Sequence, residues 1–465
     1  MINIIQNMYS VSKSSLKFNN CQTNFLNINR GVRQGDSLSP TLFNIYINEI
    51  PSLFIRQDCA PLILENSVIG SLMFADDLLI LSESEEGLQK NLDNFSEYCD
   101  KWQLTVNCKK TKTMVISTSN KNFNNPKFYY KKDVLEQVKE FKFLGNMISK
   151  NGNLVPAAQA LSKKALKVMY AIKTYTNSLN EIPPNLSSHL FDSLVRPILT
   201  FNCEIWYMDI YRSFFNSSIR ASSTNKTVDE LSYIDKSPVE RVHTKFTKFT
   251  LGLKKSACNI SARAELGRFP IDCFIKRQSL LYDDRLYYND TCSILKECIS
   301  VSKFLHEKGT YTWYTYINHV RQHNNLPSDQ YLNKSHKKSN KSRYTKQLHE
   351  KYLDIYNDKI QNLNQNSKIQ LFKTVKMDYC TEYYLTCPVF ETRKIICKFR
   401  TSDHPLAIET GRYKNIPREF RLCNLCKTLE DESHFFLYCK INDNFRTELF
   451  EKFNIGCKNN DAETI

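Results

Sequence analysis

The stretch Ser71-Leu72-Met73-Phe74-Ala75-Asp76-Asp77-Leu78-Leu79-Ile80-Leu81 places two adjacent carboxylates between two apolar runs. Runs of this kind predict two paired strands joined as a hairpin, with Asp76 and Asp77 at its tip. An Asp-Asp tip is unfavourable for stability, because like charges repel and two-residue turns favour Asn-Gly or Asp-Gly. An unfavourable residue pair at the end of an otherwise favourable hairpin indicates a functional site. Paired carboxylates also suit a divalent metal such as Mg²⁺. A solvated acidic turn is the alternative interpretation.

The composition favours a polyanionic partner. The 465 residues include 64 Lys and Arg against 48 Asp and Glu, a formal net charge of +16. This excess favours nucleic acid first and an anionic membrane surface second. No apolar run approaches the ~20 residues of a membrane span, and the N-terminus lacks the pattern of a signal peptide. Sixteen cysteines therefore indicate reduced thiols, and we expect an intracellular protein, nuclear or cytoplasmic, that is not secreted.

The order of predicted elements indicates an α+β protein with several domains. Residues 1–150 alternate helices with strands and hairpins, which predicts an antiparallel sheet with helices on one face. The pattern becomes helical over residues 156–290, with a loop insertion expected near 211–237, where Ser, Asn and Thr are frequent. Residues 291–385 are predicted to form a basic helical or linker region. Residues 386–465 are expected to form a small Cys/His module.

That C-terminal module contains a closely spaced set of metal-binding residue types. Cys423, Cys426, His434 and Cys439 supply three thiolates and one imidazole, a set suited to tetrahedral zinc. Four protein ligands leave no open position, so we expect the zinc to be structural. Basic flanking residues favour nucleic-acid contact, as in zinc knuckles. Further Cys and His residues nearby leave a different ligand set open: Cys380, Cys387, Cys397 and His404.

Four segments of the N-terminal region, in this order, resemble the reverse transcriptases of non-LTR (LINE-like, jockey-like) retrotransposons. Gly31-Val32-Arg33-Gln34-Gly35-Asp36-Ser37-Leu38-Ser39-Pro40 resembles the family's loop and helix beside the incoming nucleotide and template. Phe74-Ala75-Asp76-Asp77 matches the metal-binding hairpin. Asn107-Cys108-Lys109-Lys110-Thr111 and Phe143-Leu144-Gly145 are similar to the following basic motif and the primer-grip hairpin. Ser37 departs from the family, which usually has Pro there.

Two later segments resemble the helical region that follows the polymerase in these elements. They are Val195-Arg196-Pro197-Ile198-Leu199 and Glu265-Leu266-Gly267-Arg268-Phe269-Pro270. The resemblance implies a partial polymerase palm over residues 1–150, a thumb-like region over 156–290 and a zinc-knuckle-like module at 386–465. It implies an RNA-directed DNA polymerase that uses Mg²⁺ or Mn²⁺, an RNA template and a DNA primer, with two metals stabilising the attacking and leaving oxygens.

The resemblance also assigns roles to individual residues. Asp76 would bind metal directly and Asp77 would support the same metal site, while Lys110 would neutralise or protonate the pyrophosphate leaving group. An exposed loop lysine is the alternative for Lys110. The remaining residues would contact the substrates, with Gln34 and Gly35 lining the nucleotide and template pocket and Leu144 and Gly145 positioning the primer end.

One part of the family's site has no counterpart in this sequence. A two-metal site needs a further carboxylate on a separate strand, which the family places upstream of the Gln34-Gly35 loop. No Asp or Glu precedes Asp36. We therefore expect an N-terminally truncated polypeptide that lacks the fingers and cannot polymerise DNA as it stands. The alternative function is a non-catalytic, basic nucleic-acid-binding protein with a zinc module.

Overall fold

The computed structural model describes residues 2–28, 31–117, 126–178, 182–224, 228–288, 292–327, 337–364 and 367–452. These residues divide into two compact units. One unit comprises Met1–Gly145, Ser149–Gly152 and Cys292–Val301, and the other comprises Asn146–Ile148, Asn153–Thr291 and Ser302–Ile465. Among the described residues, no helix is both long enough and apolar enough to cross a membrane.

The N-terminal part of the chain mixes three helices with short strands. Its elements are α1 (Ile2–Ser10), β1 (Lys13–Ser14), β2 (Lys17–Phe18), β3 (Cys21–Gln22), β4 (Leu26–Asn27), α2 (Ser39–Tyr46), β5 (Leu62–Ile63), β6 (Val68–Ile69), β7 (Ser71–Phe74), β8 (Asp77–Ile80), α3 (Glu85–Lys101), β9 (Lys112–Thr113), β10 (Tyr129–Tyr130), β11 (Asp133–Val134), β12 (Glu136–Gln137), β13 (Glu140–Phe143) and β14 (Asn146–Ser149). This mixture agrees with the predicted α+β class.

The strands do not form the single antiparallel layer that the sequence predicts. Every described sheet has two strands, and one pair, β9 with β12, is parallel. Most strands are only two residues long. Strands in globular proteins are typically about five to six residues long, so pairs this short offer few ladder hydrogen bonds to a third strand.

The β7–β8 hairpin packs against helices through one face only. Met73, Leu78 and Ile80 lie against a buried cluster that includes Phe54 and Tyr98. Side chains alternate along a strand, so the opposite face carries a different set of residues. Leu72, Phe74 and Asp77 are exposed on that face.

The second unit is helical. Its elements, with the helix α12 that belongs to both units, are α4 (Val155–Ser178), α5 (Pro184–Leu190), α6 (Arg196–Leu199), α7 (Cys203–Thr224), α8 (Glu230–Lys236), α9 (Pro238–Thr250), α10 (Asn259–Glu265), α11 (Ile271–Tyr288), α12 (Ser293–Glu307), α13 (Trp313–His323), α14 (Lys337–Gln361), α15 (Gln370–Val375), α16 (Phe390–Arg400), α17 (Ala407–Tyr413) and α18 (Asp443–Lys452). One large core joins α4, α7, α9, α11, α13 and α14.

One sequence-based expectation about this helical region was wrong. The expected loop at 211–237 is helical over most of its described length, in α7 and α8. Ser, Asn and Thr are weak helix formers, but Tyr211 and Phe214 are buried in the core, and that burial outweighs intrinsic propensity. Residues 291–385, expected to be helical or a linker, include the 25-residue helix α14, whose Tyr344 and Leu348 belong to the same core.

Candidate functional site

The Asp76-Asp77 pair lies at the end of a regular hairpin. Strands β7 and β8 are antiparallel, with Met73 opposite Leu78 and Phe74 opposite Asp77. Ala75 and Asp76 form the two-residue turn, and Ala75 has a φ of +52°. The sequence therefore placed the hairpin correctly, but Asp77 begins the second strand and only Asp76 belongs to the turn.

Both carboxylates are available for a ligand. Asp76 and Asp77 are exposed, and no described residue donates a hydrogen bond to either side chain. Their oxygens are of the kind that Mg²⁺ prefers, although Mg²⁺ takes about six ligands. Within the described parts of the chain, no third Asp, Glu, His or Cys joins them in a metal-binding cluster. The hairpin thus fits one side of a magnesium site.

The Gln34-Gly35 turn precedes helix α2, and hydrogen bonds of the flanking residues stabilise it. Gly35 has a φ of +86°, and a Cβ at this position would meet nothing within 4 Å. Asp36 accepts a hydrogen bond from the Leu38 amide at 3.2 Å, and the Ser39 hydroxyl donates to the Arg33 carbonyl at 2.6 Å. The turn is therefore fixed on one side while open space remains beside Gly35.

Lys110 lies in a compact turn that begins at Asn107. The Asn107 side chain accepts a hydrogen bond from the Lys110 amide at 3.2 Å, and the Thr111 hydroxyl donates one to the Asn107 carbonyl at 3.0 Å. These two bonds explain why Asn and Thr flank the lysines of the motif. The Lys110 side chain is exposed.

Leu144 and Gly145 form a second two-residue turn, between β13 and β14. Their φ angles are +45° and +88°, and two positive φ values define the turn type that matches strand twist. Gly145 adopts this conformation without strain, and Leu144 is held in it with an exposed side chain. All the candidate polymerase residues belong to the first unit. Among the described residues, no hydrogen bond or ion pair joins Asp76 or Asp77 to Gln34, Lys110 or Leu144.

The four predicted zinc ligands come together. The ligand atoms of Cys423, Cys426, His434 and Cys439 all lie within 4.8 Å of one another. Cys439 Sγ is 3.9 Å from Cys423 Sγ and 4.0 Å from Cys426 Sγ. Zn–S bonds of about 2.3 Å in a tetrahedron place two sulfurs about 3.8 Å apart. The cluster is therefore compatible with zinc.

The environment of the cluster favours metal binding further. His434 Nε2 is buried and has no hydrogen-bond partner in the described structure, whereas Nδ1 lies 3.2 Å from the Thr428 hydroxyl. A metal-ligating histidine typically has one nitrogen on the metal and the other hydrogen-bonded. A hydrogen bond from the Cys426 amide is the main cause that lowers the pKa of the Cys423 thiol to about 7, which favours the thiolate that binds metal.

The alternative zinc ligands do not join this cluster. His404 Nε2 lies 2.8 Å from Glu432 Oε1, and the described structure groups none of Cys380, Cys387, Cys397 and His404 with the four ligands. Thr428 is a residue that sequence reasoning missed. Its only signal is a hydroxyl residue two positions after Cys426, which by itself does not indicate a partner for His434.

Comparison with known proteins identifies the N-terminal region. A family profile described as "Reverse transcriptase (RNA-dependent DNA polymerase)" matches residues 1–148. The chain is 34% identical over 121 residues to a "Retrovirus-related Pol polyprotein from type-1 retrotransposable element R2" of Nasonia vitripennis, an alignment that covers 26% of this chain and 12% of that protein.

Two further relatives come from Drosophila. A "Retrovirus-related Pol polyprotein from type-2 retrotransposable element R2DM" of Drosophila melanogaster is 27% identical over 191 residues, covering 37% of this chain and 18% of that protein. An "RNA-directed DNA polymerase from mobile element jockey" of Drosophila funebris is 25% identical over 157 residues, covering 32% and 16%.

The alignments with these relatives thus span less than a fifth of their own lengths. The family profile covers 148 of the 465 residues, and these include the Gln34-Gly35 turn, the Asp76-Asp77 hairpin, Lys110 and the Leu144-Gly145 turn. Residues 1–148 thus match the reverse transcriptase family, and the relatives that this region resembles are polymerases of non-LTR retrotransposons.

Proposed function

We propose that this chain carries the metal-binding hairpin and substrate loops of an RNA-directed DNA polymerase, which adds nucleotides to the 3′ end of a DNA primer on an RNA template. One observation carries the proposal: two exposed carboxylates without hydrogen-bond partners in the described structure, Asp76 and Asp77, end a rigid hairpin inside the region that matches the reverse transcriptase profile. The hairpin packs on helices through its other face, so the carboxylates are held while one face stays open to substrate.

The two carboxylates take different roles in this proposal. Asp76 lies in the turn and is the direct metal ligand. Asp77 lies in β8, where its side chain leaves the strand in a different direction, and it supports the site from beside the metal. A divalent ion bound there supplies the positive charge that stabilises the attacking and leaving oxygens of phosphoryl transfer.

The surrounding loops contact the substrates. Gln34 and Gly35 line the nucleotide and template pocket, where the open space beside Gly35 lets a base pair approach the backbone. Lys110 neutralises the pyrophosphate leaving group, and its exposed ammonium is free to reach a phosphate. Leu144 and Gly145 position the primer end.

Cleavage by bound iron tests the metal site directly. Fe²⁺ in place of Mg²⁺, with ascorbate and peroxide, generates radicals that cut the backbone close to the ion. We expect cuts in the full chain within residues 74–78, and further cuts near 33–36 and 143–146 if these loops share the site. Asp76→Asn should remove the cuts, whereas Asp133→Asn, at an exposed carboxylate of β11, should leave them. Cuts that survive Asp76→Asn with unchanged intensity would refute the assignment.

Primer extension tests the polymerase assignment itself. Purified chain is incubated with an RNA template, a DNA primer and Mg²⁺ or Mn²⁺. Extension that disappears in Asp76→Asn and persists in Asp133→Asn would support the assignment, whereas extension that Asp76→Asn leaves unchanged would contradict the role of Asp76.

We also propose a structural zinc ion bound by Cys423, Cys426, His434 and Cys439. The sulfur separations and the unpartnered His434 Nε2 support it. Metal analysis of the full chain, purified with zinc and then desalted, should give about one zinc per chain. Cys439→Ser should lower the content several-fold, whereas Cys387→Ser, at a described free thiol outside the cluster, should leave it unchanged. Equal zinc content in both variants would rule out this ligand set.

A second candidate function is nucleic-acid binding without catalysis. The net charge of +16 favours it. The iron-cleavage experiment distinguishes the two candidate functions, because a protein that only binds nucleic acid is not expected to bind a divalent ion at Asp76.

A further inference from the structure

The two downstream sequence motifs meet in space, although the polymerase site uses neither. Arg196 comes from the first motif and Arg268 from the second. Arg268 Nη2 lies 2.6 Å and Arg196 Nη1 lies 3.1 Å from the same oxygen, Asp192 Oδ1. The two arginines line a cleft of about 340 Å³, together with Arg277 and His349.

The charges around this cleft do not balance. Its lining includes three guanidinium groups, of Arg196, Arg268 and Arg277, and one carboxylate, of Asp192. Arg268 is fully engaged, because it also donates to His243 Nε2 at 3.1 Å. The neighbouring buried Glu240 forms hydrogen bonds with His243, Arg263 and the Ile271 amide, and not with the three arginines that line the cleft. The cleft therefore keeps a net positive charge.

Arg196 and Arg277 lie on a common aromatic ring. Their guanidinium carbons are 4.8 Å and 4.7 Å from the centroid of Phe274. Two cations are thus held beside one ring, which attracts each of them but does not remove the repulsion between them.

Arg277 is the cation with the fewest partners. Its Nη1 donates to the Thr345 hydroxyl at 3.3 Å, and its buried Nε has no hydrogen-bond partner among the described residues. Burial and the charge of Arg196 lower the pKa of Arg277. A half-buried guanidinium without a carboxylate is unfavourable, and an anion between Arg196 and Arg277 would relieve both the desolvation and the repulsion.

We propose that this cleft binds a backbone phosphate of the nucleic acid, with Arg277 and Arg196 as its ligands. Guanidinium groups match phosphate oxygens in geometry and charge. Arg196, Arg277 and His349 are each only partly buried, so the phosphate can remain part of a long polymer. This site rests on the proposed function for its ligand, since the nucleic acid is the polymerase's own template and primer.

Binding of a fluorescein-labelled RNA–DNA hybrid to the full chain tests the site without requiring activity. Arg277→Gln should weaken binding about three- to tenfold and reduce the salt dependence by about one counterion. Arg285→Gln removes the same charge from an exposed position on the same helix, α11, and should change the affinity less than about twofold. Equal weakening by the two variants would overturn the proposal, because it would show a general charge effect.

A measurement on the unmodified chain guards against misfolding of the variant. Phenylglyoxal modifies accessible arginines, and mass spectrometry locates the products. The hybrid should protect Arg277 and leave Arg285 reactive. Inorganic phosphate separates the sources of the anion: protection of Arg277 by phosphate alone, with none from the hybrid, would assign the cleft to a small anion and overturn the proposal. A chain that binds no hybrid at all would overturn the proposed function as well, whereas binding without Arg277 protection overturns only this site.

Discussion

Gly267 shows how one residue of a motif is fixed by contacts far along the chain. It has a φ of +59°, and a Cβ added there would lie 2.6 Å from the Thr381 amide nitrogen and 2.7 Å from the Cys380 carbonyl carbon. The neighbouring Leu266 forms a β-bridge with Thr381. Glycine is therefore required here for both conformation and space.

Gly267→Ala should consequently destabilise the second unit more than a glycine substitution in open space. Gly309 is the matched control, because it has a φ of +82° and a Cβ added there would meet nothing within 4 Å. Gly309→Ala should cost about 1–2 kcal/mol for the left-handed conformation, and Gly267→Ala should cost about 1–3 kcal/mol more for the backbone overlap. Thermal and urea unfolding of both variants measure the difference. Equal losses would mean that the 380–381 segment moves away freely.

At the residue scale, candidate site residues can be proposed from sequence where they lie in a short local pattern. Asp76, Gly145 and the four Cys/His residues each lie in one: a hairpin, a tight turn or a CxxC pair. Thr428 and Asp192 were missed, since their roles depend on partners brought near by folding. Asp192 contacts Arg268 across 76 positions of sequence.

At the scale of elements, helix α7 shows why the expected loop at 211–237 was wrong. Its Ser and Asn residues suggested irregular structure, but the helix places Tyr211 and Phe214 in the core. The same helix also contacts His319 of α13, with the Tyr211 hydroxyl 2.8 Å from His319 Nδ1 and the Ser218 hydroxyl 3.2 Å from Nε2. Polar residues that look like loop signals thus serve a helix–helix contact.

This contact makes stability depend on pH. Burial, together with the charges of His323 and Lys276, lowers the pKa of His319 to about 4. The unfolded chain takes up a proton near pH 6.5, so the folded state is fully favoured above that pH and loses this advantage as the pH falls to about 4. The slope is at most about 1.4 kcal/mol per pH unit.

His319→Gln should flatten the pH dependence between pH 6.5 and 4. The measurement is the melting temperature of wild-type chain and variant at several pH values in this range, compared with His189→Gln at an exposed position. The His189 variant should follow the wild-type curve. A wild-type slope retained in His319→Gln would show that other groups cause the dependence.

At the scale of the whole molecule, the segment around the Cys/His cluster differs from the helical core. Its large apolar side chains are mainly exposed, including Phe420, Leu425, Phe436, Ile441 and Phe445. A segment that buries so little apolar surface needs another source of stability, and a structural metal is the usual one in small modules.

Removing the proposed zinc should therefore loosen this segment before the core. A zinc-selective chelator should increase tryptic cleavage after Lys427 and Lys440 by about tenfold or more. Cleavage after Lys163 and Lys164, exposed in helix α4, should stay slow. Cys439→Ser without chelator should give the same pattern. Parallel acceleration at all four lysines would indicate that the metal stabilises the entire second unit.

The sequence by itself determined the resemblance of the N-terminal region to reverse transcriptases, the Asp76-Asp77 hairpin and the spacing of the Cys/His cluster, because hydrophobic alternation, turn chemistry and ligand spacing act between residues close in the chain. Tertiary structure alone decided that residues 203–224 are helical, that α14 belongs to the core and that Arg196, Arg268 and Arg277 share a cleft. Helix packing brings the motif residues Arg196 and Arg268 together with Arg277. The free energy of burying apolar surface outweighs local helix propensity, and no short stretch of sequence shows where that burial occurs.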